Sequence, residues 1–224
     1  NQLFIVADVI EQTASVMSAK ALEKGLELGT EIDPSVPQVL IGDPHRLRQI
    51  LSNFVSNSIK FTETGFISIK LETRTVESNN AELRFSVTDS GKGIDPEFRN
   101  KLFAPYDQGA VEIARKYGGT GLGLSICRRL ANLMDSEIEV QSDVGKGTTF
   151  AFNVVFPIDR QTDPAKLREV LDESPKDVSR NNVNRISLNV LQVEDNDVNR
   201  LVVERILDRA GHNITSVAHG PEAL

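Results

Sequence analysis

Residues 118–126 read GGTGLGLSI, preceded by Arg115-Lys116-Tyr117 and continued by CRRLANLM over 127–134. Glycines alternate with small or apolar residues, after which Cys127, Leu130, Ala131 and Met134 recur at i, i+3, i+4 and i+7, the period of one helix face. The glycines therefore stand just ahead of a helix N-terminus. Such a terminus presents unpaired N–H groups and the positive end of a dipole, and glycine lets backbone approach a ligand closely. A phosphate cradle fits these features, and a flexible surface turn also fits them. Two familiar phosphate motifs do not. The dinucleotide fingerprint needs G-x-G-x-x-G after an apolar strand, and a P-loop needs Ser or Thr after Gly-Lys, where Gly145-Lys146 is followed by Gly147.

Partners for a phosphate are found upstream. Asp43 as N-cap and Pro44 at the first helical position open a helix whose Leu47, Ile50, Leu51, Phe54 and Val55 form an apolar face. Asn53, Asn57 and Lys60 fall at i, i+4 and i+7 and make one polar stripe beside that face. A solvated flank is the plainer reading of two asparagines, but Lys60-Phe61-Thr62 adds a cation and an aromatic ring at the end of the same stripe.

Two alternating strands follow, Ile67-Ile69-Leu71 and Leu83-Phe85-Val87, joined through VESNN as an antiparallel hairpin. The parity that buries Leu83, Phe85 and Val87 also turns Asp89 inward, ahead of Ser90-Gly91-Lys92-Gly93-Ile94. An inward carboxylate needs a partner, because an unpaired buried charge is very costly. The exocyclic amine of a purine would serve, whereas an ordinary Asp-Ser-Gly turn explains the glycines but not the parity.

The other elements are expected as follows. A strand at Phe4–Val6 leads to a helix capped by Asp8 and ended by Gly25, then a strand over 26–32 and a proline-marked loop. Residues 95–117 have no clear period and lead into the glycines as a lid. Strands at 138–141 and 148–156 flank Gly145-Lys146-Gly147. From Asp159 to Ile186 the composition turns polar and charged, which reads as a linker with a short helix at 164–172. Leu188–Val193, a helix with Val198, Leu201 and Val202 inside, and Ile214–Ala218 read as strand, helix, strand, the start of a parallel α/β domain.

The net charge of −7 argues against nucleic acid or an anionic membrane as partner, although Lys60, Lys92, Arg115, Lys116 and Lys146 gather near the phosphate elements. The single cysteine, Cys127, excludes an internal disulfide, fits a reducing, cytoplasmic compartment and belongs to the core face of its helix. No apolar run approaches a membrane span and no signal peptide is visible. Without an initiator Met, and stopping at Gly220-Pro-Glu-Ala-Leu224, the chain reads as an excerpt of something longer.

Taken together, NFVSNSIKFT (53–62), DSGKGI (89–94), LFAPYDQ (102–108), GGTGLGL (118–124) and GKGTTF (145–150) resemble, in the family's own order, the catalytic ATP-binding domain of sensor histidine kinases. That family lies in the GHKL superfamily of gyrase-like ATPases, heat-shock chaperones and MutL proteins. The resemblance covers residues 1–157 and implies a two-layer α/β sandwich with a mixed sheet, ATP and Mg²⁺ as cofactors, and protein histidine kinase activity. VLQVEDNDVNR and AGHNITSVAHGPEAL resemble the opening of a response-regulator receiver of flavodoxin-like (βα) fold at 188–224, beyond a linker at 158–187. A kinase domain followed by a receiver is the layout of a hybrid histidine kinase.

Residue by residue, the resemblance implies that Asn57 coordinates the Mg²⁺ that bridges the phosphates and that Lys60 contacts them, with Asn53 in the same catalytic group. Asp89 would bind the adenine amino group, Gly91 and Gly93 would keep their loop close to the base, Thr149 would approach the adenine side, and Phe61 and Ile94 would belong to the same ATP-binding set. Phe103 to Gln108 would begin the lid, from which Tyr106, Gln108 and Lys116 reach the nucleotide, and Gly119, Thr120, Gly121, Leu122, Gly123 and Leu124 would line the phosphates. Glu194 and Asp195 match the receiver's Mg²⁺-holding acidic pair, whose site is incomplete here because the acceptor aspartate lies beyond the sequence. The implied partners are an upstream histidine-bearing dimerisation domain, a receiver or phosphotransfer protein downstream, and a second copy in a full-length homodimer.

Two departures stand out. The phosphoacceptor histidine belongs upstream, so His45, His212 and His219 read as structural, and Asp135-Ser136 replaces a Gly-Gly pair common after the glycine helix, for which only a changed turn is expected. ATP-hydrolysing relatives place a glutamate where Asn53 stands, and an amide cannot accept a proton from water at neutral pH. Asn53 therefore favours a kinase over a GHKL hydrolase. An anti-sigma-type serine kinase would lack the receiver-like tail, and a non-catalytic nucleotide-sensing module would need degraded motifs.

Overall fold

The computed structural model describes residues 2–99, 102, 123–172, 187–195, 200, 203–205, 207–208 and 211–218. They form two units, Asn1–Asp172 and Glu173–Leu224. In the first, β1 (Gln2–Ile5) pairs antiparallel with β3 (Val39–Gly42) as a two-stranded ribbon. A five-stranded sheet has the order β2 (Glu27–Ile32), β4 (Phe66–Glu77), β5 (Asn80–Asp89), β7 (Gly147–Pro157) and β6 (Ile138–Asp143). It is mixed: β2 runs parallel to β4 and the other pairs are antiparallel. Helices α1 (Val6–Glu23), α2 (Pro44–Phe61) and α4 (Gly123–Asn132) pack over it, and a short α3 (Pro96–Arg99) follows the β5 loop. This is the two-layer α/β sandwich that the sequence implies.

The layers meet along the faces that the spacing picks out. Leu47, Ile50, Leu51, Phe54 and Val55 of α2 are all fully buried, as are Ile67, Ile69, Leu71, Leu83, Phe85 and Val87 of the hairpin. Phe54 stacks on Phe150 of β7 with ring centroids 5.0 Å apart and meets Phe152 edge-on at 6.1 Å, while Phe85 stacks on Phe152 at 5.2 Å. These aromatic contacts fix α2 over the middle of the sheet, and so fix where its polar stripe lies. Asp43 caps α2 as expected, accepting from the backbone N of His45 and Arg46, both at 3.1 Å. At the other end Lys24 donates to the carbonyls of Ile59 and Lys60, a cation at the negative end of the helix dipole.

Several expectations are corrected. Helix α1 begins at Val6, and its N-cap Ile5 makes no side-chain cap bond. Asp8 lies inside the first turn and instead accepts from Nε and Nη2 of Arg168. β3, within a stretch that reads as loop, is held by pairing with β1. The first unit also extends past residue 157. Helix α5 (Pro164–Asp172) places buried Leu167 against Ile5 and Val39, so one apolar anchor and the Arg168–Asp8 pair dock a stretch whose composition reads as linker. Asp135 takes a left-handed φ of 52°, a conformation that Asp tolerates better than most residues, so the substituted turn keeps a glycine-like backbone.

In the second unit β8 (Asn189–Val193) and β9 (Asn213–Val217) pair in parallel, with helical residues 203–205 and 207–208 between them. Glu194 and Asp195 follow the C-terminal end of β8.

Candidate functional site

Asp89 ends β5 facing the helix layer, as its parity requires, and is 5% exposed. The protein supplies its partners. Oδ2 accepts from the Ser58 hydroxyl at 2.9 Å, and Oδ1 accepts from the backbone N of Gly91 at 3.0 Å and of Thr148 at 3.2 Å. Three donors hold the carboxylate fixed in direction.

The loop after Asp89 is braced against the β6–β7 turn. Gly145 N donates to Lys92 O at 2.8 Å, Ile94 N donates to Ser142 Oγ at 2.8 Å, and Ser142 Oγ lies 2.9 Å from Thr148 Oγ1. The DSGKGI and GKGTTF blocks therefore form one interlocked element. Gly91 is required for close approach: a Cβ there would lie 2.7 Å from Phe61 O and 2.8 Å from Thr62 Oγ1.

The α2 stripe stands beside this element, with Asn53, Asn57, Lys60 and Phe61 all half-buried. Gly123 meets the stripe directly, since a Cβ on it would lie 2.7 Å from Asn53 Oδ1. The start of α4 and the amide stripe thus share one edge, and Leu124 packs against the core beneath it. Lys60 Nζ and Lys92 Nζ lie 4.9 and 5.0 Å from the centroid of the Phe61 ring. Burial, and then the Lys92 ammonium, hold Lys60 below the usual lysine pKa. Two cations gathered on one half-buried ring are suited to a polyanion. Cys127 is core, as expected: burial pushes its thiol up to about 12, which leaves no thiolate for chemistry.

Among the expected site residues, Asn53, Asn57, Lys60, Phe61, Asp89, Gly91, Gly93, Ile94, Gly123 and Leu124 are brought to this edge of the sandwich. Thr149 is corrected. Its hydroxyl bonds Thr88 Oγ1 at 3.0 Å on the face away from Asp89, whereas Thr148 pairs with Asp89 in register and is buried beside it. Strand alternation gives Thr148 the inward position. The lid, with Tyr106, Gln108 and Lys116, and the residues Gly119, Thr120, Gly121 and Leu122 lie outside the described residues. Ser58 and Thr148 are the functional neighbours that motif reading misses. Ser58 could have been found as the one polar residue in the buried set of α2, opposite a buried carboxylate.

The profile of the family described as histidine kinase-, DNA gyrase B- and HSP90-like ATPase matches residues 42–159, more than half of the chain, and spans every element of this site. The chain belongs to that family. Its site is the ATP-binding catalytic domain of sensor histidine kinases, and hybrid kinases are among the relatives of this family member. It is 41% identical over 167 residues to Hybrid signal transduction histidine kinase B of Dictyostelium discoideum, which covers 75% of this chain and 8% of that protein. Two-component system protein A of Emericella nidulans is 39% identical over 210 residues, 91% of this chain and 31% of its own length. The crystal structure of full-length ShkA in complex with AMPPNP superposes with a TM-score of 0.60 at 28% identity, covering 99% of this chain and 42% of that one. The catalytic domain of histidine kinase ThkA gives 0.54 at 26% identity over 68% of this chain and 93% of that one. The chain spans a third or less of the length of the curated relatives it matches. Among the described residues no helix is long and apolar enough to cross a membrane.

Proposed function

We propose that the chain is the catalytic part of a hybrid two-component kinase, which transfers the γ-phosphoryl group of ATP to a histidine in an upstream dimerisation domain for relay to a receiver aspartate. The observation that carries this reading is the amide and cation stripe of α2 set beside a buried, fully oriented Asp89. Phosphoryl transfer asks a protein for positioning and charge neutralisation more than for covalent chemistry. A neutral imidazole is already a nucleophile, so transfer to histidine requires no strong base here, and Asn53 offers none.

Asp89 receives the amino group of adenine, Phe61 and Ile94 border the base, and Lys60 neutralises the phosphates. Mg²⁺ fits the same stripe, because this cation is commonly held by one or two protein oxygens together with substrate phosphates, and the Asn57 amide supplies such an oxygen. Bound there with ATP, the metal would offset phosphate charge. Among the described residues there is no cluster of three or more His, Cys, Asp or Glu that could hold a metal without a nucleotide.

The parallel β8–β9 pair and the Glu194-Asp195 step at the end of β8 support a receiver opening at 188–224, in which those carboxylates hold Mg²⁺. In this reading the full-length protein is a homodimer through its upstream domain, and the catalytic part works in the cytoplasm.

Calorimetry and γ-labelled ATP test the proposal together. The chain alone should bind Mg·ATP and acquire no stable label. Label should appear on a histidine-bearing helical hairpin supplied with it, and Asn57→Ala should abolish that transfer. Stable label on the chain alone, or steady phosphate release without an acceptor, overturns the proposal.

A further inference from the structure

We infer that Ser58 sets the base selectivity of the nucleotide site by pinning one oxygen of Asp89, an inference that rests on reading Asp89 as the base-binding carboxylate. The two oxygens of that carboxylate are used unequally. Oδ1 accepts from two backbone donors, Gly91 N and Thr148 N, which fill its two acceptor directions. Oδ2 accepts from the Ser58 hydroxyl alone among the described residues, which leaves it one acceptor direction.

Ser58 is well placed to act as a fixed pin. It is 1% exposed, sits in the last turn but one of α2, and its helix is anchored to the sheet by the Phe54 stack on Phe150. A small hydroxyl on a packed helix has little freedom to follow a moving carboxylate, so the carboxylate is held instead.

The consequence lies in what Oδ2 can reach. An ionised carboxylate only accepts hydrogen bonds, so in a fixed position it takes the 6-amino group of an aminopurine and repels the 6-oxo group of an oxopurine. A 6-oxopurine also carries an N1–H donor next to its oxygen. A carboxylate free to turn could swing toward that N1–H and escape the repulsion. By holding Oδ2, Ser58 denies that swing and restricts the site to 6-aminopurine nucleotides. Ser58 is thus a positioning residue that acts through Asp89.

The test is the ratio of dissociation constants for ATP and ITP, which differ at the 6-position, measured by calorimetry with Mg²⁺ on the whole chain. Because both ligands are measured on the same protein, the ratio is insensitive to the fraction of folded molecules. The wild-type chain should prefer ATP clearly, and Ser58→Ala should narrow the preference by roughly tenfold, the size expected for one hydrogen bond to a charged group. Ser58→Cys keeps a weak donor of similar size and should give an intermediate ratio, and it decides the matter if the alanine variant binds neither nucleotide. A wild-type chain that binds ATP and ITP alike would overturn the reading of Asp89 itself. A preferring wild type whose ratio is unchanged in the decisive variant would overturn the role of Ser58 and leave Asp89 standing.

Discussion

The two ends of the proposed nucleotide site are built from different contacts. At the base end Asp89 has three protein donors, and its loop is tied to the β6–β7 turn through Gly145, Ser142 and Ile94. At the phosphate end Lys60 and Lys92 gather over the Phe61 ring, and burial, then the Lys92 ammonium, lowers the pKa of Lys60. The protein itself orients the carboxylate at one end, and the other end carries two cations over one ring. In the proposed reading the base end is pre-organised, which lowers the ordering cost of binding, and the cations of the other end favour an anionic ligand.

The largest break in this contrast comes from Asp89→Ala. It leaves the Ser58 hydroxyl and the backbone N of Gly91 and Thr148 without their acceptor. At about 1–3 kcal/mol for each buried donor left unpaired, the domain should lose roughly 3 kcal/mol or more of stability along with its ATP binding. Urea unfolding beside calorimetry would show both losses. An unchanged unfolding midpoint would mean that the base end is not held by this carboxylate.

At the phosphate end, stability and affinity should move apart. Because the lowered pKa of Lys60 means that the folded protein binds its proton less tightly than the unfolded chain does, charged Lys60 costs stability at pH values below its folded pKa. That cost is relieved as pH rises through the folded pKa. Lys60→Met should thus raise the thermal midpoint of the nucleotide-free protein at neutral pH while weakening ATP binding roughly tenfold, about the loss of one charge-assisted hydrogen bond. Since a polyphosphate favours the charged lysine, ATP affinity should also fall as the pH climbs, beginning below the ordinary lysine value of 10.5, and Lys60→Arg should hold its affinity to higher pH. A lower midpoint for Lys60→Met would show that the charged lysine is not a net cost to the folded protein.

How far the sequence reveals this arrangement depends on the range of the interactions. Elements fixed by local periodicity were legible: the apolar face of α2, the hairpin and the inward parity of Asp89. Elements fixed by distant partners were not. β3 is four residues held by pairing with β1 and by a bridge from Leu40 to Ile158, and the start of α1 carries no capping side chain. Asp8 signals a cap but is used by Arg168, a residue remote in sequence, and the helix that carries Arg168 looks like linker because Leu167 is its one buried apolar anchor. In the site, the motifs locate Asp89 and its neighbour Gly91, yet Ser58 and Thr148 come from separate segments, and only folding brings them to the same carboxylate.

The smallest expected effect concerns the register at the base end. Residues 148 and 149 are both threonine, and alternation along β7 sends them to opposite faces. Thr148 pairs with Asp89, is 7% exposed, and shares a hydrogen bond with Ser142, the residue that also receives Ile94 N. Thr149 bonds Thr88 on the other face. Thr148→Val keeps the shape and the backbone donor to Asp89 but removes one hydroxyl from the brace. It should cost about 1 kcal/mol of stability and weaken ATP a few-fold, since the loop that positions Asp89 loosens. Thr149→Val removes a hydroxyl from the face away from α2, so its stability effect should stay within about 0.5 kcal/mol, with ATP affinity unchanged. Comparing the two valine variants by thermal unfolding and calorimetry isolates the face, because chemistry and sequence position are otherwise nearly identical. If Thr149→Val were the more damaging for ATP, the strand would present its other face to the nucleotide, and the base end would have to be rebuilt around Thr88 and Thr149.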